Sequence, residues 1–228
     1  MPALLRSSES LDGLWEELVY TEARLLAAGH KPQAAATSKS LKRLEALQAG
    51  QRAAWRREIV AQATVDVVDD ALDDEVETLG RNLLHLEAGN RKTARFKQYF
   101  KSAVSTVVRL GLESELPVVR GFISQLAKEP EKVLKDHGKA FTALAKSGDE
   151  AVAERRDAAI ERAAHRAREI LGFIDDLNAS RTTIHAELTL QATAGALPRD
   201  YADRFFRRST RAARAVDGAS RPEPTPPA

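Results

Sequence analysis

Three carboxylates in the stretch VVDDALDD at 67–74, Asp69, Asp70 and Asp73, follow the order D-D-x-x-D. Side chains four residues apart on a helix are neighbours, so Asp69 and Asp73 can offer oxygens to one cation. Magnesium suits such a pair, because it accepts carboxylate oxygens, keeps several waters and bridges to phosphates. A half-copy lies at 172–178, GFIDDLN, where Asp175 and Asp176 lead to Asn178 and a third carboxylate is lacking. Asp69, Asp73 and Asp175 are the candidate metal ligands.

The D-D-x-x-D spelling resembles the first Asp-rich motif of the all-helical isoprenyl diphosphate synthases, and that resemblance implies magnesium-dependent diphosphate chemistry. It stops at the motif. In that family paired arginines follow and grip the diphosphate, whereas here Asp73 is followed by DEVETLGRN, with the lone Arg81 and three further acids. With Leu72 at the centre of a helical wheel stepped at about 100° per residue, Val65, Val68, Val76, Leu79, Leu83 and Leu86 gather into one apolar stripe. Asp69 and Asp73 then lie on its shoulder, and Asp70 points away. The reading preferred here is an acidic shoulder in water, with no cofactor.

A second group of polar residues is better placed for burial. Centred on Ile174, the wheel gathers Ile160, Ala163, Ala167, Ile170 and Leu188 with Asn178, Arg181 and His185. Buried polar groups need partners. The three are therefore either a register-fixing polar layer, with Arg181 reaching Asp69 or Asp73, or a small polar pocket in which His185 binds a ligand or titrates. The segment DRFFRRSTRAARAV repeats arginine at three- and four-residue steps, Arg204, Arg207, Arg208, Arg211 and Arg214. That face suits phosphates or an anionic surface by charge alone, while Phe205 and Phe206 dock on the body. Other spellings are absent: no P-loop, dinucleotide fingerprint, G-x-S-x-G or H-E-x-x-H occurs, and Glu161–His165 has the wrong spacing for a di-iron bundle. His30 and His137 stand beside turns and read as exposed; Trp15 and Trp55 read as packing anchors.

The elements that position these groups are helices. The chain has 228 residues, 43% hydrophobic and 30% charged, few aromatics and no cysteine, which excludes disulfides and thiolate chemistry. The net charge of +2 does not announce a nucleic-acid partner, although basic residues cluster at Arg91, Lys92, Arg95, Lys97 and Lys101. MPALLRSSES is too polar for a secretory signal and no run is long enough to span a membrane, so a cytoplasmic location is expected. After a lead at 1–9, Ser10 caps a first helix that Gly29 ends. A helical pattern fills 33–88, with Gly50 its weak point, followed by short helices punctuated near Gly111 and Pro117. A region at 130–147 ends at Ser147–Gly148, a long helix covers 149–194, a short basic helix covers 199–215, and the Pro-rich tail at 216–228 is expected to be disordered.

Shifting the chain by 106 residues aligns Asp69–Asp70 with Asp175–Asp176 and Ala88–Gly89 with Ala194–Gly195, which suggests repeat units at about 10–110 and 111–215. The expected architecture is an all-α antiparallel bundle over 10–215 with two long central helices, built from two pseudo-symmetric hairpins. The leading functional expectation is a non-catalytic scaffold or interaction protein with a protein partner. The alternative is nucleic-acid or anionic-surface binding through the basic C-terminal helix, and the third is the magnesium-dependent diphosphate enzyme.

Overall fold

The structure is a computed structural model that describes residues 2–207. It is an all-α helical bundle, without strands among the described residues. Helix α1 spans Leu11–Ala27; the Ser10 hydroxyl accepts from the Gly13 amide at 3.0 Å and caps it. Gly29, at φ +81°, lets the His30 amide return to the Leu25 carbonyl at 2.9 Å and closes the helix. Helix α2 then runs unbroken for 56 residues, Lys31–Leu86, straight through Gly50. Three shorter helices follow, α3 at Ala94–Tyr99, α4 at Val104–Val107 and α5 at Leu112–Leu126. Helix α6, Lys132–His165, passes through a π-helical turn at Arg166–Ile170 into α7, Leu171–Ala194, and a 3-10 turn covers Ala202–Phe205.

The chain divides into two compact units that do not coincide with the stretches 10–110 and 111–215. One combines Met1–Gly50 with the chain from Ala167 onward; the other is Gln51–Arg166. In the first unit α2 and α7 run antiparallel, since Gln33 bonds Glu187 at 2.8 Å while Arg43 pairs with Asp176 at 2.6 Å. Leu14, Leu18, Leu44 and Leu47 close there over Phe173, Ile174 and Leu177, and Leu25, Ile184 and Leu188 receive Phe205 and Phe206. The docking role expected of these two phenylalanines is borne out, as both are buried.

In the second unit, as α2 advances from Arg57 to Asn82, its partners on α6 retreat from Glu161 to His137, again antiparallel. The α2 stripe forms the core as the wheel expects: Val65, Leu72, Val76, Leu79 and Leu83 are buried against Phe122, Phe141 and the leucines of α5. Leu86 is the exception, being exposed at the helix end.

Three expected boundaries are corrected. Gly148 does not stop a helix. It is buried inside α6, and a Cβ there would stand 2.9 Å from Leu116 Cδ2, so glycine permits α5 and α6 to approach. Pro117 does not break α5, whose apolar stripe of Leu112, Leu116, Val119, Phe122 and Leu126 holds the helix through the lost hydrogen bond. The π turn misleads the wheel. Its extra residue turns the face by about 100° relative to a uniform α-helix, so upstream of it Ala151 and Ala158 are buried while Ile160 and Ala163 face out. The basic helix expected at 199–215 is only a 3-10 turn up to Phe205, and Arg208, Arg211, Arg214 and the tail lie outside the described residues.

Candidate functional site

The side chains displaced by the π turn help to build an open groove in the second unit. Trp55 and Ile59, one helical turn apart on α2, are each 53% exposed, and Ile160 on α6 is 58% exposed. Together with Ala159 and Ala163, and with Leu116 and Val152 beneath, they line a groove of about 1190 Å³ between α2, α5 and α6. Neither Trp55 nor Trp15, itself 42% exposed, is the buried anchor expected. A groove this size is larger than most small-molecule pockets, and its walls are helices presenting apolar residues one turn apart.

The rim is charged but mostly satisfied within itself. Arg155 bonds Glu113, Arg162 bonds Glu58, and Arg120 reaches both oxygens of Asp149 at 2.5 and 2.7 Å. The Arg162 guanidinium also lies over the Trp55 ring, 5.8 Å from its centroid, a cation–π contact on the groove's charged wall. Arg156 lines the same groove with no acidic partner among the described residues. These pairs are half-exposed and contribute little stability individually; their effect is to leave an apolar floor and one unmatched cation.

Asp69 and Asp73 sit on the shoulder of α2, where the wheel places them, yet that shoulder is half-buried. One oxygen of each is buried without a hydrogen-bond donor, and so are both oxygens of Glu115, a fully buried α5 residue that the sequence reading did not single out. Glu115 has a signal of its own, since it falls in the middle of the α5 apolar stripe between Leu112 and Val119. Asp175 belongs to the other unit and is exposed on α7, and no group of three acidic or histidine side chains among the described residues can hold a metal ion. The candidate ligands Asp69, Asp73 and Asp175 form no such group.

A further polar layer was missed one to two turns along α2. His137 is buried, contrary to its expected exposure, with Nδ1 at 2.6 Å from Glu75 and Nε2 at 2.8 Å from the Asn82 amide. Its place between Leu134 and Phe141 on the inner face of α6 is the sequence signal for that burial.

The polar residues of α7 are structural clamps. Asn178 takes both backbone groups of Leu5, accepting from its amide at 2.9 Å and donating to its carbonyl at 3.0 Å. Arg181, 5% exposed, bonds Glu17 rather than Asp69 or Asp73, donates to the Ala3 carbonyl at 3.2 Å, and lies 5.1 Å from the Phe206 ring centroid. Burial lowers the Arg181 pKa, and the Glu17 carboxylate opposes that shift. His185 bonds Asp203 at 2.8 Å, and His30, expected in water, bonds the Tyr201 hydroxyl at 2.7 Å. The three therefore serve separate contacts: Asn178 holds the lead before α1, Arg181 holds that lead and Glu17 of α1, and His185 holds the turn after α7.

Comparison with protein families, with curated proteins and with solved structures finds no match.

The candidate polyanion residues divide. Arg204 makes a two-point contact with Asp200 at 2.8 and 3.1 Å, and Arg207 pairs with Glu16, so each is held by an acid of its own chain. The other basic cluster is differently placed. Arg95 bridges the α2–α3 and α5–α6 connections, lying 3.6 Å from Glu87 and 2.5 Å from Glu129 and bonding Glu131. Tyr99 donates to Glu129 at 2.7 Å. This network consumes the acids at that end of the unit, while Arg91, Lys92, Lys97, Lys101, Lys128 and Lys132 stay exposed. No helix among the described residues is long and apolar enough to cross a membrane.

Proposed function

We propose that the chain is a non-catalytic helical interaction protein, and that its docking surface is the groove of the second unit. The observation that carries this reading is the joint exposure of Trp55, Ile59 and Ile160 over one groove whose rim charges, Arg156 apart, are paired. Large apolar side chains gathered on an open concave surface mark an interaction site, whereas scattered single ones do not. The occupant that fits is an amphipathic helix, with apolar anchors at i, i+3 or i+4, and i+7 and with one carboxylate for Arg156. The use of Asn178, Arg181 and His185 as clamps supports a non-catalytic role, since the polar residues best placed for a pocket are committed to the fold.

With Trp15 replaced by phenylalanine, Trp55 is the sole indole and reports on the groove. Titration with a set of amphipathic helical peptides that carry one acidic residue should shift its emission to the blue. Ile160→Glu should abolish the shift without changing the melting temperature. If no peptide moves the Trp55 emission, or if Ile160→Glu binds as well as the parent, the groove is not the docking surface.

A second reading, binding of a polyanion by charge alone, rests on the exposed cations around the Arg95 network. It moves the polyanion surface expected on the C-terminal arginines to the end of the second unit, where no acid of the described chain pairs with the lysines.

A further inference from the structure

Glu115 is fully buried, and neither of its oxygens meets a hydrogen-bond donor. Asp73 and Asp69, across on α2, each bury an oxygen with the same lack. Ionised carboxylates only accept hydrogen bonds, so the three cannot satisfy one another as they stand. Bringing them together as anions would cost both desolvation and repulsion.

A cation would answer this, but none reaches the cluster. From α2, the further charges that act on it are Asp66, Asp70 and Glu77, all acidic. On α5, Glu113 is taken by Arg155 of α6, and Arg120 by Asp149. On α6, His137 is taken by Glu75 and Asn82. No three of these groups are arranged to hold a metal ion among the described residues. The remaining neutraliser is a proton. Placed between Glu115 and Asp73, it turns two acceptors into a donor and an acceptor, and gives the buried pair a charge-assisted hydrogen bond.

We propose that Glu115 and Asp73 form a proton-binding site, one proton shared between α5 and α2, taken up on folding and needed for the first turns of α5 to seat on α2. The proposal is independent of what the groove binds. Burial, then the charge of Asp73, pushes the Glu115 carboxyl up to about 8, and Asp69 and Asp73 are raised in the same direction, chiefly by burial. A carboxyl whose pKa is raised by folding stabilises the protein while protonated. That stabilisation is complete below the unfolded pKa near 4.5 and is lost as pH climbs towards 8. In that window the folding equilibrium constant falls about tenfold per pH unit for one proton held only by the native state.

The test compares urea denaturation of the wild type with that of Glu115→Gln between pH 5 and 9. Glutamine keeps the shape and donates from its amide to Asp73, replacing the proton. The difference between the two proteins cancels the titrations they share. The wild type should lose stability relative to Glu115→Gln steadily up to pH 8, and Glu115→Gln should be the more stable at pH 9. Asp73→Asn, the complementary replacement, should flatten the profile in the same way. At pH 6.5 the wild type should show an infrared carboxylic-acid C=O band that Glu115→Gln lacks. The proposal is overturned if the two pH profiles run parallel, if the band is missing from the wild type, or if magnesium restores wild-type stability at pH 9, which would make the site a metal site.

Discussion

Replacing Arg181 by methionine should destabilise the first unit far more than the loss of one surface ion pair. Arg181 and its partner Glu17 are 5% and 6% exposed, so the substitution leaves a carboxylate buried without its counter-charge. Breaking such a pair from one side costs about 3–5 kcal/mol, whereas an exposed pair contributes about 0–1 kcal/mol. The lost bond to the Ala3 carbonyl and the stacking on Phe206 add to the penalty. Removing both charges at once, with Glu17→Leu and Arg181→Met, should return stability to within about 1 kcal/mol of the wild type, because desolvation of both ions is relieved along with their attraction. The two tryptophans lie one in each unit, Trp15 on α1 and Trp55 on α2, so a Trp55→Phe background lets Trp15 emission follow the first unit alone during urea unfolding. A cost below about 1 kcal/mol for Arg181→Met, or a double variant as unstable as the sum of the singles, would refute the buried-pair argument.

His137→Leu should cost the second unit about 2–3 kcal/mol, followed by Trp55 emission, because Glu75 and Asn82 lose their shared partner beside a buried site; an unchanged midpoint would show that both find water instead. If the exposed cations bind polyanions, alanine at Lys97, Lys101, Lys128 and Lys132 should weaken binding to unrelated DNA duplexes equally and reduce the salt slope by about 3–4. Alanine at Arg204 and Arg207 should leave that binding unchanged, since both are already paired within the chain; the opposite pattern would return the surface to the C-terminal arginines.

The helices were legible wherever the decisive information was local. Ser10 as the cap of α1, and the α2 stripe from Val65 to Leu83, follow from capping and a 3.6-residue period, and the structure keeps both. Gly148 was not legible, because a glycine that ends a helix and one that admits Leu116 read alike until the neighbouring helix is known. The π turn was hidden for a different reason. It changes the period of the helix, so a wheel that is right at Ile174 is wrong at Ile160, and the residue assigned to the core became part of the groove. At the acidic cluster the spelling D-D-x-x-D drew attention to the right helix and the wrong chemistry. Its partner, Glu115, is a single acid in an apolar stripe, a quieter signal than a run of aspartates and a more telling one, since burial is what makes a carboxyl hold a proton.

The unit boundaries inside α2 and at the π turn have a consequence for synthesis on the ribosome. Residues 51–166 leave the ribosome as one uninterrupted stretch and hold every buried side chain of the second core. The first unit is split, with Leu14, Leu18, Leu25, Leu44 and Leu47 made before the second unit and their cover, Phe173 to Leu188 and Phe205–Phe206, made after it. At roughly 5–20 residues per second, those leucines wait on the order of ten seconds for the side chains that cover them. The nascent chain thus completes the continuous unit first and then closes the split one from two segments that the whole of the other unit separates in sequence.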